Sequence, residues 1–176
     1  FIIHGVLKNY NDLFITREIN GKNKSNFGKL SLINEAFKYC YLNKPETNSK
    51  FISLISSSEG DYTRYLFFYL HNLIENNDFE SAKQISKTLN FLDGGLLINQ
   101  SKQWLDKLNY DKFNQFFSCK NEADILAEFL FLISNFYAAE KDFEKSNFYL
   151  NLSNYLNPKF YFNLTHLLEN YLENKN

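Results

Sequence analysis

The stretch from Ala127 to Pro158 constrains this chain more than any other, because it reads as two helices lying back to back. Leu130, Ile133, Ser134 and Tyr137 recur at the spacing of one helical face. Ser146, Leu150 and Ser153 do the same on a second helix, which Pro158 ends. Large apolar groups are expected to fill the space between the helices, while the serines let the backbones approach. A hairpin of this size has too little core to stand alone and has to stack on neighbours. The spacing therefore predicts an all-α chain, an α-α superhelix (a solenoid of antiparallel helical hairpins) that acts through its surface.

The hairpin resembles a tetratricopeptide repeat, a family built on a 34-residue helical hairpin with large, small, aromatic and proline positions in a set order. Leu130 and Ile133 stand at the large pair, Ser134 at the first small position, Tyr137 at the aromatic and Pro158 at the closing proline. Ser146 and Ser153 replace the family's usual alanines, and Leu150 replaces an aromatic. Upstream, Asn77-Asp78-Phe79-Glu80-Ser81-Ala82 echoes Lys141-Asp142-Phe143-Glu144-Lys145-Ser146. That alignment puts Leu66, Tyr69, Leu73 and Ala82 on pattern, but Leu70 and Leu89 where small residues belong. Downstream, Leu164, Leu167 and Tyr171 fit the first helix of a further repeat. Leu96 to Phe117 reads as a shorter helical pair.

The remaining punctuation is helical too. Ile3, Val6, Leu7, Tyr10, Leu13 and Phe14 form one stripe before Gly21; Leu30, Ile33, Phe37 and Tyr41 form another, ended by Pro45. Phe51 to Ile55 is a short helical candidate, followed by a loop from Ser56 to Gly60 and a capping Asp61. Gly94-Gly95 breaks the chain again. Asn121 caps a long helix running to about Glu140, and no segment alternates as a half-buried strand does. About nine or ten helices are expected. The expected organisation is an N-terminal helical segment over 1–60, either eroded repeats or a cap, then repeats over 61–95, 96–120, 127–160 and a partial 161–176.

Apolar residues make up 44% of the 176, enough to exclude a disordered chain. Aromatics at 18% are first of all core filling. The net charge of −1 supplies no field for DNA, RNA or an acidic membrane, and Lys22, Lys24 and Lys29 read as a solvated loop. The most apolar run, Ile125 to Ile133, is too short to span a bilayer and contains Glu128. Cys40 and Cys119 have no CxxC spacing and are expected to be buried or idle thiols. The chain has no methionine, and its last helix lacks a partner, so a fragment of a larger protein is expected. Any targeting signal would then lie upstream, leaving cytoplasm and periplasm both open. The stripe of Leu164, Leu167, Leu168 and Tyr171 is expected to self-associate or fray.

Catalytic motifs are absent: there is no GxSxG, P-loop, GxGxxG, HExxH or paired Cys-His arrangement. Of His4, His71 and His166, the one weighed as a ligand is His166, with Glu169 and Asn170 at helical spacing, and such a pair is ordinarily a surface contact. No metal, cofactor or catalytic residue is expected. The sequons at Asn151 and Asn163 fall in helices of an Asn-rich chain and read as chance.

The resemblance implies that first helices of successive hairpins line a concave groove. It places Glu128, Phe131, Asn135 and Ala138 there, with Arg64, Phe67, His71 and Ile74 from the preceding repeat and Phe162, Thr165, Glu169 and Leu172, with His166 alongside, from the following one. The family's clamp for a peptide carboxylate needs cations; Phe131 stands at the lysine position, so that mode is rejected. A mixed groove for a peptide or protein is expected instead, with Arg64, Phe67, His71, Glu128, Phe131, Asn135, Phe162 and His166 as its contact residues. Packing between repeats is an equal reading of the three phenylalanines. The resemblance thus implies an interaction scaffold from a larger, bacterial tetratricopeptide protein. The alternatives are a repeat region appended to an enzyme and, disfavoured by charge, an RNA-binding helical repeat.

Overall fold

The computed structural model describes residues 28–56, 62–88 and 96–165. Several expectations lie outside the described residues: the Ile3–Phe14 stripe, Gly21, Lys22, Lys24, the Asp61 cap, Leu89, Gly94-Gly95, and the stripe of Leu167, Leu168 and Tyr171. Among the described residues the chain is all-helical. The helices are α1 (Gly28–Tyr41), α2 (Thr47–Ser56), α3 (Tyr62–Glu75), α4 (Phe79–Thr88), α5 (Leu96–Asp106), α6 (Asp111–Asn114), α7 (Glu122–Ala139) and α8 (Phe143–Leu156), followed by a 3-10 turn at Tyr161–Asn163. None of them is long and apolar enough to cross a membrane. The chain divides into two compact units, Phe1–Phe113 and Asn114–Asn176.

Four hairpins are closed by the same turn. Asn43, Asn77, Leu108 and Lys141 all have left-handed backbone, with φ of 50, 61, 55 and 61°. Each donates its N–H to the carbonyl three residues back: Asn43 to Cys40, Asn77 to Ile74, Leu108 to Leu105 and Lys141 to Ala138. The next N–H reaches five back: Lys44 to Tyr39, Asp78 to Leu73, Asn109 to Trp104 and Asp142 to Tyr137. This paired closure satisfies carbonyls that a helix end otherwise leaves bare. The turns recur at intervals of 34, 31 and 33 residues. Their following helices open on side-chain caps where the sequence places aspartate. Asp78 Oδ1 accepts from Ser81 N at 3.2 Å, and Asp142 Oδ1 from Lys145 N at 3.2 Å.

The recurrence extends to packing. Seven residues before each turn stand Ala36, Leu70, Ser101 and Ser134, all with zero exposure. Ten residues before stand Ile33, Phe67, Ile98 and Phe131, all buried. In the first unit α3 packs on α2, α4 and α5, and every residue from Arg64 to Ile74 is buried. Its rings knit that core: Phe68 meets Phe37 edge-on at 5.1 Å, and Phe67 stacks on Phe113 at 5.9 Å, which Trp104 meets edge-on at 5.3 Å. A chain of amides runs from the buried Asn72 to the surface, with Asn72 donating to Asn48 Oδ1 at 3.0 Å and Asn76 donating to the Asn72 carbonyl at 2.8 Å. Cys40 and Cys119 are both buried, and neither is a free thiol, which corrects the expectation of idle thiols. Spacing along the chain excludes a CxxC motif but says nothing about what a sulfur meets in space.

In the second unit α7 and α8 form the expected hairpin. Asn121 caps α7, its side chain accepting from Ala123 N at 2.9 Å and Asp124 N at 3.4 Å. Ser134 and Ser146 meet at the crossing, Oγ to Oγ 3.0 Å, both with zero exposure. Ser153 donates to the Ala127 carbonyl at 2.7 Å and accepts from Asn163 Nδ2 at 3.1 Å. Asn157 ends α8 just before Pro158, donating to the Phe116 carbonyl at 2.9 Å. Burial raises the pKa of the Asp124 carboxyl, against the opposing pull of the hydrogen bond it accepts from Ser118 N at 2.9 Å.

Candidate interaction surface

The residues expected to line a groove are largely core. Phe67 and His71 have zero exposure, Arg64 is 9% exposed and lies over the Phe68 ring, and Glu128, Phe131 and Phe162 are buried. Phe162 packs against Phe116, Phe160 and Tyr161. Asn135 is half-buried, and its Oδ1 lies buried with no hydrogen-bond partner among the described residues. His166 lies outside the described residues. The alignment of Phe67 with Phe131 holds in the structure, since both stand ten residues before a turn. Their expected exposure is what fails: that position faces packing, and α3 is surrounded. Of the two readings weighed for these rings, packing is the one observed.

Several exposed apolar side chains stand instead on the outside of α7 and α8. Ile133 was expected between the helices, yet it is 39% exposed, because the crossing is made by Ala127 and Ser134 on a neighbouring face. With it stand Phe136 at 62%, Phe148 at 58%, Leu152 at 36% and Tyr155 at 81%. A chain of rings crosses the hairpin. Phe136 meets Tyr137 edge-on at 5.6 Å, Tyr137 stacks parallel on Tyr149 at 5.5 Å, and Tyr149 meets Phe148 edge-on at 5.3 Å. The Lys145 ammonium lies over the middle of the chain, 5.3 Å from the Tyr137 ring centre and 2.6 Å from Asp142 Oδ2. That contact holds the Asp142 carboxyl below its usual range and raises the Lys145 ammonium.

The three exposed aromatics alone leave about 400 Å² open, taking roughly 200 Å² for each full side chain. The rings are tied to each other, so this surface is laid out in advance and loses little side-chain freedom on contact. It can bind; it presents no constellation of nucleophile, base and anion-stabilising donors. Its sequence signal was legible: Phe148, Leu152 and Tyr155 repeat at four and three residues, as do Phe129, Ile133 and Phe136. No family model, no curated protein and no solved structure matches this chain.

Proposed function

We propose that this chain is a helical-repeat interaction module of the tetratricopeptide type, which holds a protein partner on the outer face of α7 and α8 and performs no chemistry of its own. The carrying observation is the ring chain Phe136–Tyr137–Tyr149–Phe148, tied together, with half-buried tyrosines at its centre and Phe136 and Phe148 open to solvent at its ends. The repeated turn at intervals of 34, 31 and 33 residues supports the repeat-family part of the reading, since the family's period is about 34. Aromatic anchors in a preordered patch are the usual carriers of binding energy in such contacts.

The test compares partner capture by wild-type protein, a Phe136→Ala/Phe148→Ala variant and Asn135→Ala. The double variant should lose capture while its melting stays near wild type, because both rings are exposed. Asn135→Ala, on another face of α7, should retain it. Full capture by the double variant together with loss in Asn135→Ala would return the binding surface to the originally expected groove.

A further inference from the structure

We infer that the side of the α7–α8 hairpin carrying the Tyr137–Tyr149 stack is a seat for a single amphipathic α-helix of a partner protein. The inference rests on the reading of this hairpin as an interaction surface, and names the side used and the kind of segment that lies there.

At about 100° per residue, Leu126, Leu130, Ile133 and Tyr137 fall within roughly 60° of one another on α7. Their stripe is centred roughly 70° to one side of Ser134, which marks the crossing. On α8, Tyr149, Leu152 and Leu156 span a similar arc, centred roughly 90° from Ser146 in the same rotational sense. In antiparallel helices that cross through those serines, equal rotations turn both stripes to the same side of the hairpin. The Tyr137 and Tyr149 rings agree, stacking at 5.5 Å with 1° between their planes. None of the seven side chains is buried, and Ile133 and Leu152 are 39% and 36% exposed. The opposite side is already filled: Glu128 and Phe131 turn that way and have 2% and 7% exposure. A hairpin in a repeat array offers both sides to neighbours, so the tyrosine side is the open one.

The shape of the furrow selects its occupant. Helix axes in contact lie about 8–10 Å apart, so the furrow between α7 and α8 is about one helix wide. From Leu126 to Tyr137 it runs about 16 Å, the rise of three helical turns. The α7 stripe advances by four, three and four residues and the α8 stripe by three and four. A helix sets its own apolar side chains against that spacing. Area argues against a second copy or another folded domain. Seven side chains, none more than 39% exposed, leave at most about 550 Å² open at roughly 200 Å² each, where a standard stable interface takes about 800 Å² from each partner. Charge sets the rest. No charged residue stands among the seven, and Glu122, Glu140 and Lys145 lie at the ends of the furrow. The seated stripe of the partner helix is therefore uncharged over its three turns, and its charges are confined to its solvent side and its ends.

The probe is a fluorescein-labelled peptide of about three helical turns, with leucine at the same four-three-four steps and glutamate, lysine and alanine elsewhere. A shuffled peptide of the same composition is the control. Fluorescence anisotropy with the wild-type chain should show saturable binding of the striped peptide and at least tenfold weaker binding of the shuffled one. Ile133→Glu/Leu152→Glu should weaken the striped peptide at least tenfold, with circular dichroism unchanged, since both side chains are more than a third exposed. Phe136→Ala/Phe148→Ala should leave peptide binding within about twofold, because those rings turn away from each other on the two outer sides. Absence of binding to the wild type, equal binding of the two peptides, or full binding by Ile133→Glu/Leu152→Glu overturns the helix seat. Sedimentation velocity giving twice the chain mass, lost in Ile133→Glu/Leu152→Glu, would put a second copy on this side and overturn it too. If the furrow variant keeps the peptide while Phe136→Ala/Phe148→Ala loses partner capture, the seat fails and the interaction-surface reading stands. If the furrow variant loses the peptide and Phe136→Ala/Phe148→Ala keeps partner capture, the seat stands and the outer rings are not the binding surface.

Discussion

Replacing Ser146 by leucine tests the packing of the second unit at its tightest point. Ser134 and Ser146 have zero exposure and their hydroxyls are 3.0 Å apart, so the helices approach where neither side chain extends beyond one oxygen. Leucine adds a branched three-carbon end into a space that holds none. Overpacking of this kind costs about 1–3 kcal/mol. The Ser134 hydroxyl also loses its partner, and a stranded buried donor costs about 1–3 kcal/mol, less where it can turn back to a carbonyl of its own helix. The sum is about 2–5 kcal/mol, a large share of the 5–15 kcal/mol typical of a folded domain. For a unit of this size each kcal/mol moves the melting temperature by roughly 4–8 °C, so a fall of at least about 8 °C is expected. The controls separate the two causes. Ser134→Ala and Ser146→Ala should each cost about 1 kcal/mol, while the double alanine variant should cost less than their sum, because it strands nothing. Thermal melts and urea titrations of the four variants provide the numbers. Wild-type melting of Ser146→Leu, or strictly additive alanine variants, would refute the crossing described here.

Two further outcomes are expected at the turn that joins these helices. Lys141 holds a left-handed φ of 61°, so Lys141→Gly should raise stability by about 0.5–1 kcal/mol, the removed strain outweighing the added freedom of the unfolded chain; a lower urea midpoint would contradict it. Asp142 has its pKa lowered, chiefly by the hydrogen bond from the Lys145 ammonium, then by the one from the Lys145 backbone N–H. Its contribution is therefore present above the ordinary carboxylate pKa and is lost as pH falls through the lowered folded value. Carboxyl NMR should show a midpoint below the usual range of about 3.9, returning upward in Lys145→Ala; no response to that substitution would discount the contact.

The strongest sequence signals were local, and local features are what the structure bears out. Asn121, Asp142 and Pro158 mark helix ends because cap and ring chemistry act within one turn of chain. Ser134, Ser146 and Ser153 marked the close approach because few side chains fit where backbones touch. The register between Phe67 and Phe131 was legible for the same reason, being counted from similar turns. Their exposure was not: a helical period tells which residues share a face, and not how many neighbours surround the helix. Arg64 and His71 would ordinarily signal a wet face, yet α3 buries them. The left-handed turns at Leu108 and Lys141 carry no glycine or asparagine, the residues by which such turns are normally recognised. The exposed stripe of Phe148, Leu152 and Tyr155 is visible as spacing, but spacing alone does not separate an outer face from a face stacked on another repeat.

The two clasps of the last hairpin also differ in how far apart their ends lie along the chain. Ser134 and Ser146 are separated by 12 residues, Ala127 and Ser153 by 26. Loop closure grows only with the logarithm of length, so roughly doubling the span adds about 0.6 kcal/mol even when each contact closes from the open chain. Once the inner clasp is shut, the outer one has only seven residues on each side left to bring in. The hairpin is thereby suited to zip outward from Lys141 and Asp142, with low contact order and correspondingly rapid folding. The contact from Asn157 to Phe116, 41 residues apart, is the late step in that order. The serine clasp can thus shut as soon as α8 is free to meet α7, without waiting for the segment beyond Pro158 to pack.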